Sequence, residues 1–179
     1  MDAKYITPAV TAFDEQGHVD MEANKRIYDW LIEGGMDGIL ILGSIGEFFA
    51  IPLEEKKKMI QDALDYVNHR VTVYVGTGGT VFEECVELSR FALDRGADGV
   101  MVISPYYFNL PDSSVLNFYD TLAGRLDGPV LLYNFPARTG YDLKPEVVLE
   151  LVRRRTNIVG IKDTVDVMGH TRALIQTVK

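Results

Sequence analysis

PVLLYNF at residues 129–135 and IVGIKDT at 158–164 are short apolar runs whose ends carry a tyrosine and a lysine. Similar runs begin near Tyr5, Gly38, Thr72 and Gly99, so that the six starts are separated by 33, 34, 27, 30 and 29 residues. Apolar runs of this length without strict alternation read as strands buried on both faces. Each interval holds one helical pattern. The first runs from Asp20, an N-cap residue, through Ile27, Trp30 and Leu31 to Gly34-Gly35. Pro52 opens the second, which places Met59, Ile60, Ala63, Leu64 and Val67 on one face. Thr80 with Glu83 predicts a capping box for the third, which stops at Gly96. The fourth starts near Ser113 and turns Leu116, Tyr119, Leu122 and Ala123 inward. Pro145 opens the fifth, and Asp166 precedes the sixth.

Six successive β/α units predict an α/β fold with a parallel sheet covered by helices. The open doubly wound sheet is weakened because no Gly-x-Gly-x-x-Gly or Gly-x-x-x-x-Gly-Lys follows the first strand. Polar and reactive residues collect instead at the C-terminal ends of several strands, the pattern of a TIM (β/α)8 barrel. Six units do not close a barrel of eight. The expectation is therefore that residues 1–179 form a single catalytic barrel domain, truncated at its C-terminus and amounting to about three quarters of a longer protein. A second copy supplying the missing units is the alternative, although an open hydrophobic edge invites aggregation.

Composition narrows the function classes. Of 179 residues, 47% are hydrophobic and 25% charged, enough to bury a core. The net charge of −8 and scattered basic residues argue against nucleic acid. The clusters Lys56-Lys57-Lys58 and Arg153-Arg154-Arg155 fall on helical patterns, where a solvated outer face is expected. One cysteine, Cys85, excludes an internal disulfide and a cysteine-based zinc site and fits a reducing compartment. No basic leader and no run of transmembrane length is present. A cytoplasmic protein with no membrane partner is expected.

The chemistry centres on Lys162. An ammonium group at an apolar strand end loses solvation, which favours the neutral, nucleophilic amine that forms a Schiff base with a ketone. Tyr133 and Arg138 lie one unit upstream. The turn Gly43-Ser44-Ile45-Gly46-Glu47 after the second strand can aim backbone N–H groups at an anion, and Ser44 can add a hydroxyl to a proton relay. Gly76-Thr77-Gly78-Gly79 lacks the lysine of a phosphate loop and is expected to keep the mouth of the barrel free of side chains. Pro105-Tyr106-Tyr107-Phe108 follows the fourth strand, where tyrosines are commonly packing residues with a wet hydroxyl. Asp163 and Asp166 have no third carboxylate or histidine near them in sequence. His18, His69 and His170 read as solvated or capping residues, so no metal is expected.

Taken together, these segments resemble the pyruvate-dependent class I aldolase family that includes dihydrodipicolinate synthase, N-acetylneuraminate lyase and 2-keto-3-deoxygluconate aldolase. The resemblance runs the length of the chain. It rests on Gly43-Ser44-Ile45-Gly46-Glu47, Pro105-Tyr106-Tyr107, Tyr133-Asn134-Phe135-Pro136-Ala137-Arg138-Thr139-Gly140 and Gly160-Ile161-Lys162-Asp163. It implies that Lys162 forms the Schiff base, that Tyr133 is the general acid/base, and that Ser44 links it to Tyr107, which relatives contribute across a dimer interface. Gly43, Ser44 and Ile45 would meet the pyruvate carboxylate and Arg138 the second substrate.

Ile45 replaces a hydroxyl residue of the family turn, which speaks against a close copy of dihydrodipicolinate synthase. The stretch from Tyr133 onward most resembles the branch that cleaves 2-keto-3-deoxy sugar acids. The implied protein is a lyase without cofactor, a homodimer or homotetramer, acting on pyruvate or a 2-keto acid and an aldehyde. Dihydrodipicolinate synthase, N-acetylneuraminate lyase and, in another class, a non-catalytic binding protein or inactive fragment are the alternatives.

Overall fold

The computed structural model describes residues 4–178. Its strands are β1 (Ile6–Pro8), β2 (Gly38–Ile41), β3 (Thr72–Gly76), β4 (Gly99–Ile103), β5 (Val130–Asn134) and β6 (Ile158–Asp163). Every strand start lies within one residue of its sequence-based position. The six form one sheet in chain order, the order of successive β/α units in a TIM barrel. The helices are α1 (Met21–Glu33), α2 (Leu53–Val67), α3 (Phe82–Asp94), α4 (Asp112–Ala123), α5 (Pro136–Thr139), α6 (Pro145–Arg154) and α7 (Met168–Val178). The short α5 occupies a segment that reads as a turn. No described helix is long and apolar enough to cross a membrane.

Two compact units make up the chain. The first comprises residues up to Gly76 with Leu88–Val100; the second comprises Thr77–Glu87 with the residues from Met101 onward.

In the first unit, β1 pairs with β2 and β2 with β3, both in parallel. Asp20 caps α1 as expected, its carboxylate accepting from Ala23 N at 3.0 Å. The buried face of α1 includes a polar residue. Asn24 and Tyr28, four residues apart, point inward, whereas Trp30 is 72% exposed. An asparagine is tolerated there because its amide is used: Oδ1 accepts from Ala12 N, and Nδ2 donates to Ala12 O and Asp20 O. On α2, Met59, Ile60, Ala63 and Val67 are buried as expected. Each of the large ones contributes about 1.5–3 kcal/mol of apolar burial. Pro52 is the N-cap of α2 rather than its first helical residue.

Close packing requires glycine at the end of β3 and just beyond it. A Cβ on Gly76 would lie 2.0 Å from Leu42 O, so the strand ends approach too closely for any side chain. Gly78, in the second unit, has the same constraint against Ile103, whose Cγ2 would be 2.5 Å away. Gly76→Ala is expected to destabilise the protein by about 3 kcal/mol, the upper end of overpacking costs. A lowered denaturation midpoint at unchanged slope would register it; an unchanged midpoint would contradict it.

In the second unit, α3 begins at Phe82, one residue too late for Thr80 to be its N-cap. Glu83 accepts two bonds from Arg125 at 2.8 Å each. α4 buries Val115, Tyr119, Leu122 and Ala123, and α6 buries Val147, Val148 and Leu151. The basic run 153–155 is only partly a solvated face: Arg154 and Arg155 both reach Asp120 on α4. β6 departs from the picture of a fully buried strand. It is last in the sheet order, and Val159 is 61% exposed.

Candidate active site

Register brings the tyrosine and lysine together. β5 and β6 run parallel with Tyr133 opposite Lys162 and Asn134 opposite Asp163. The pairing slips by one residue after Val130, whose partner is Ile158, so that Leu131 pairs with Gly160 and Val159 is left over. Side chains alternate along a strand, so Tyr133 and Lys162 share one face while Asn134 and Asp163 share the other.

On the first face, Lys162 Nζ lies 4.3 Å from the centre of the Tyr133 ring. Tyr133 is buried and Lys162 half-buried. The Tyr133 ring stacks on Phe135 at 5.8 Å between centroids, and the Arg138 guanidinium lies 5.9 Å from the Phe135 ring. The result is a column of two aromatic rings with a cationic side chain at each end. Arg138 itself is exposed on α5.

Local chemistry shapes the Arg138 loop. Pro136 fits the first helical turn, and Gly140 at φ 83° ends α5 in the left-handed region. Thr139 Oγ1 donates to Tyr141 O at 2.8 Å, Asn109 Nδ2 to Gly140 O at 3.3 Å, and the Tyr141 hydroxyl to Pro105 O. Burial pushes the Tyr141 phenol up to about 12. Tyr119, fully buried and donating to Val102 O, is raised further by burial. Both hydroxyls are committed to backbone carbonyls, whereas the Tyr133 ring is the one that lies against the lysine.

Behind that face lies a polar cluster that the sequence does not announce. Asn134 is buried, and its Nδ2 donates to Asp163 Oδ1 at 2.9 Å and to Asp142 Oδ1 at 2.7 Å, while its Oδ1 accepts from Leu143 N at 3.0 Å. Thr171 Oγ1 donates to Asp163 Oδ2 at 2.6 Å, and His170 Nδ1 lies 3.0 Å from the same oxygen. The expectation of a solvated His170 is thus overturned: its side chain is 12% exposed. The sequence also places no third carboxylate or histidine beside Asp163, yet the fold brings His170 and Asp142 there. Among the described residues no group of three or more His, Cys, Asp or Glu side chains is arranged to hold a metal ion. The only hint in the sequence is a histidine seven residues after an aspartate, spacing that becomes proximity only through the strand–loop–helix path.

Burial of Asp163 pulls its carboxyl upward, but hydrogen bonds from Thr171, Asn134 and His170 outweigh it and hold the group below its ordinary value of 3.8. A depressed folded-state value means that the stabilisation is present above that ordinary value and is lost as pH falls through the lower one. Asp163→Asn is expected to flatten the acid limb of a stability-versus-pH curve; an acid limb identical to the parent's would contradict it.

The remaining sequence-predicted residues stand as follows. Ser44 is half-buried and Ile45 is 57% exposed in the turn after β2, in the first unit. Thr11 Oγ1 donates to Gly46 O at 2.7 Å, and a Cβ on Gly46 would lie 3.0 Å from that hydroxyl. Gly43 is buried at the start of the turn, and Glu47 closes it at φ 54° with its N–H on Ser44 O. Tyr107 is not gathered against Lys162 and Tyr133. It is 84% exposed, at φ 88°, with its ring edge-on to Phe108. A non-glycine residue at such a φ is strained.

A β/α chain with a lysine and a tyrosine on paired strand ends meets its relatives here: residues 2–179 match the Dihydrodipicolinate synthetase family, and the chain belongs to it. The particular relatives sharpen this. YagE of Escherichia coli (strain K12), provisionally named a 2-dehydro-3-deoxy-D-gluconate aldolase, is 44% identical over 174 residues, 97% of this chain and 58% of its own. Its crystal structure in complex with pyruvate superimposes with a TM-score of 0.95, covering 98% of this chain and 59% of that one. YjhH of the same organism, provisionally named a 2-dehydro-3-deoxy-D-pentonate aldolase, is 40% identical over 97% of this chain and 58% of its own. A 4-hydroxy-tetrahydrodipicolinate synthase of Methanoculleus marisnigri is 44% identical over 88% of this chain and 55% of its own. The chain thus spans under three fifths of each, a smaller share than the three quarters suggested by counting β/α units.

Proposed function

We propose that the chain is part of a Schiff-base-forming lyase that makes or breaks a carbon–carbon bond between pyruvate and an aldehyde, acting on a 2-keto-3-deoxy sugar acid. The observation that carries this reading is Lys162 Nζ 4.3 Å from the centre of the Tyr133 ring, on the paired ends of β5 and β6. The neutral amine attacks the C2 ketone of the substrate, and loss of water leaves an iminium at the place where Nζ now lies. The face of an aromatic ring stabilises a cation there by about 0.5–2 kcal/mol. Tyr133 takes the C4 hydroxyl proton as its own phenolic proton passes to the Ser44–Tyr107 relay, the C3–C4 bond breaks, and its electron pair passes into the iminium to give an enamine. The aldehyde leaves. Return of that proton to C3 regenerates the iminium, and its hydrolysis by water gives pyruvate and the free lysine. The iminium is itself the electron sink, so the route calls on no cofactor.

Arg138, exposed at the end of the aromatic column, is assigned to the second substrate. Gly43, Ser44 and Ile45 are assigned to the pyruvate carboxylate, and Ser44 with Tyr107 to the proton relay, on the family motif. The working unit is a single catalytic barrel domain of which this chain forms part, cytoplasmic and a homodimer or homotetramer; the exposed, strained Tyr107 suits a residue that meets a second copy. Sedimentation of the full-length protein as a monomer would remove that element.

Intact-mass analysis after incubation with pyruvate and borohydride tests the reading. A reduced pyruvate adduct is expected, and a folded full-length protein that gains none would refute the mechanism. The identity to the Methanoculleus synthase favours one second reading, condensation of pyruvate with aspartate semialdehyde. Coupled assays with that aldehyde, 2-keto-3-deoxygluconate and N-acetylneuraminate separate the substrates; a clear preference for the semialdehyde would transfer the assignment to the synthase.

A further inference from the structure

We propose that His170 is a positioning residue that couples the end of the Lys162 strand to the loop carrying Arg138, an inference that rests on the Schiff-base reading above. Asp163 directly follows Lys162, and Asp142 lies four residues beyond Arg138, across the left-handed Gly140. His170 stands between the two carboxylates: Nδ1 is 3.0 Å from Asp163 Oδ2 and Nε2 is 3.1 Å from Asp142 Oδ2. Asn134 also touches both carboxylates, but from β5 itself. His170 reaches them from α7, and so ties a third element to the two that carry the reacting lysine and the guanidinium.

The two contacts are unequal. Asp163 has a side chain only 7% exposed, and three donors converge on it. Its ionised carboxylate can only accept, so Nδ1 carries the proton in this contact. Asp142 is 41% exposed and belongs to the loop. Nε2 is buried and, despite its 3.1 Å approach to Asp142 Oδ2, is not aligned for a hydrogen bond. A buried polar atom left in that condition is costly. With the ring protonated at both nitrogens, Nε2 can donate to Asp142 as Nδ1 does to Asp163, and rotation of the Asp142 carboxylate, with no rebuilding of the core, completes this second bond and fixes the Arg138 loop against α7. The fixed contact therefore governs where Lys162 is held, and the adjustable one governs where Arg138 is presented.

Conservative substitutions separate the two contacts. An asparagine amide can replace Nδ1, and a glutamine amide can replace Nε2. In the full-length protein, His170→Ala is expected to slow borohydride trapping of pyruvate about tenfold and to raise KM for 2-keto-3-deoxygluconate about tenfold, the scale of a small misplacement of reacting groups. His170→Asn should restore the trapping rate but not KM. His170→Gln should restore KM but not the trapping rate. A purely structural histidine predicts instead that both variants fall with melting temperature and change both parameters together; that result, or an alanine variant equal to the parent, overturns the proposal. A parent protein that traps no pyruvate overturns the Schiff-base reading itself, which is a different failure.

Discussion

Replacing Lys162 with arginine removes the borohydride-trapped pyruvate adduct entirely while the protein remains folded. The expectation of an intact fold comes from what Lys162 touches. Its cation lies over the Tyr133 ring, and a guanidinium stacks on an aromatic face at least as well as an ammonium does. The side chain is only half-buried, so the larger head has room to move outward. Chemistry is another matter, because a guanidinium stays protonated and offers no free amine to a ketone. Intact mass measures the adduct and thermal unfolding the fold. An arginine variant that still gains a reduced pyruvate would place the nucleophile elsewhere in the chain.

Tyr133→Phe is expected to have an effect of a different kind: pyruvate is still trapped, but cleavage of the keto acid falls about 10²–10⁴-fold, the usual worth of a positioned acid/base group. Phenylalanine keeps the ring that faces Lys162 and the ring that stacks on Phe135. Only the hydroxyl is lost, and the lysine contact is with the face of the ring rather than with that oxygen. The imine step should therefore survive while proton transfer at C4 does not. Single-turnover trapping compared with steady-state cleavage separates the two, and an unchanged cleavage rate would assign the proton transfer to another group. Neither Tyr119 nor Tyr141 is a ready substitute, since burial raises both phenols and each is bonded to a backbone carbonyl.

How much of this is legible in sequence depends on how local the governing physics is. Strand starts are legible because apolar runs and the glycines and prolines around them act within a few residues. The Asp20 cap and the Met59–Val67 face are legible for the same reason. The inward face of α1 is not legible in the same way, because it includes Asn24, whose amide is satisfied by Ala12 twelve residues away. Thr80 and Glu83 have the spacing of a capping box, but α3 starts one residue later and Glu83 is held by Arg125. Lys162 and Tyr133 could be singled out individually as strand-end residues. Their pairing required the register. The cluster around Asp163 is the least legible part, since Asp142, Asn134 and His170 come from three elements and each alone has an ordinary surface or turn composition.

The slip between β5 and β6 makes the length of the strand ahead of Lys162 tolerant of change. Regular pairing from Ile158 onward would set Lys162 opposite Asn134 and turn its amine toward α7; the slip absorbs Val159 and restores the amine to the Tyr133 side. The reactive half of the strand is thereby uncoupled in length from the half that precedes it. Loss of Val159 would simply make the ladder regular, with Gly160 already opposite Leu131. Deletion of Val159 is therefore expected to leave Lys162 opposite Tyr133.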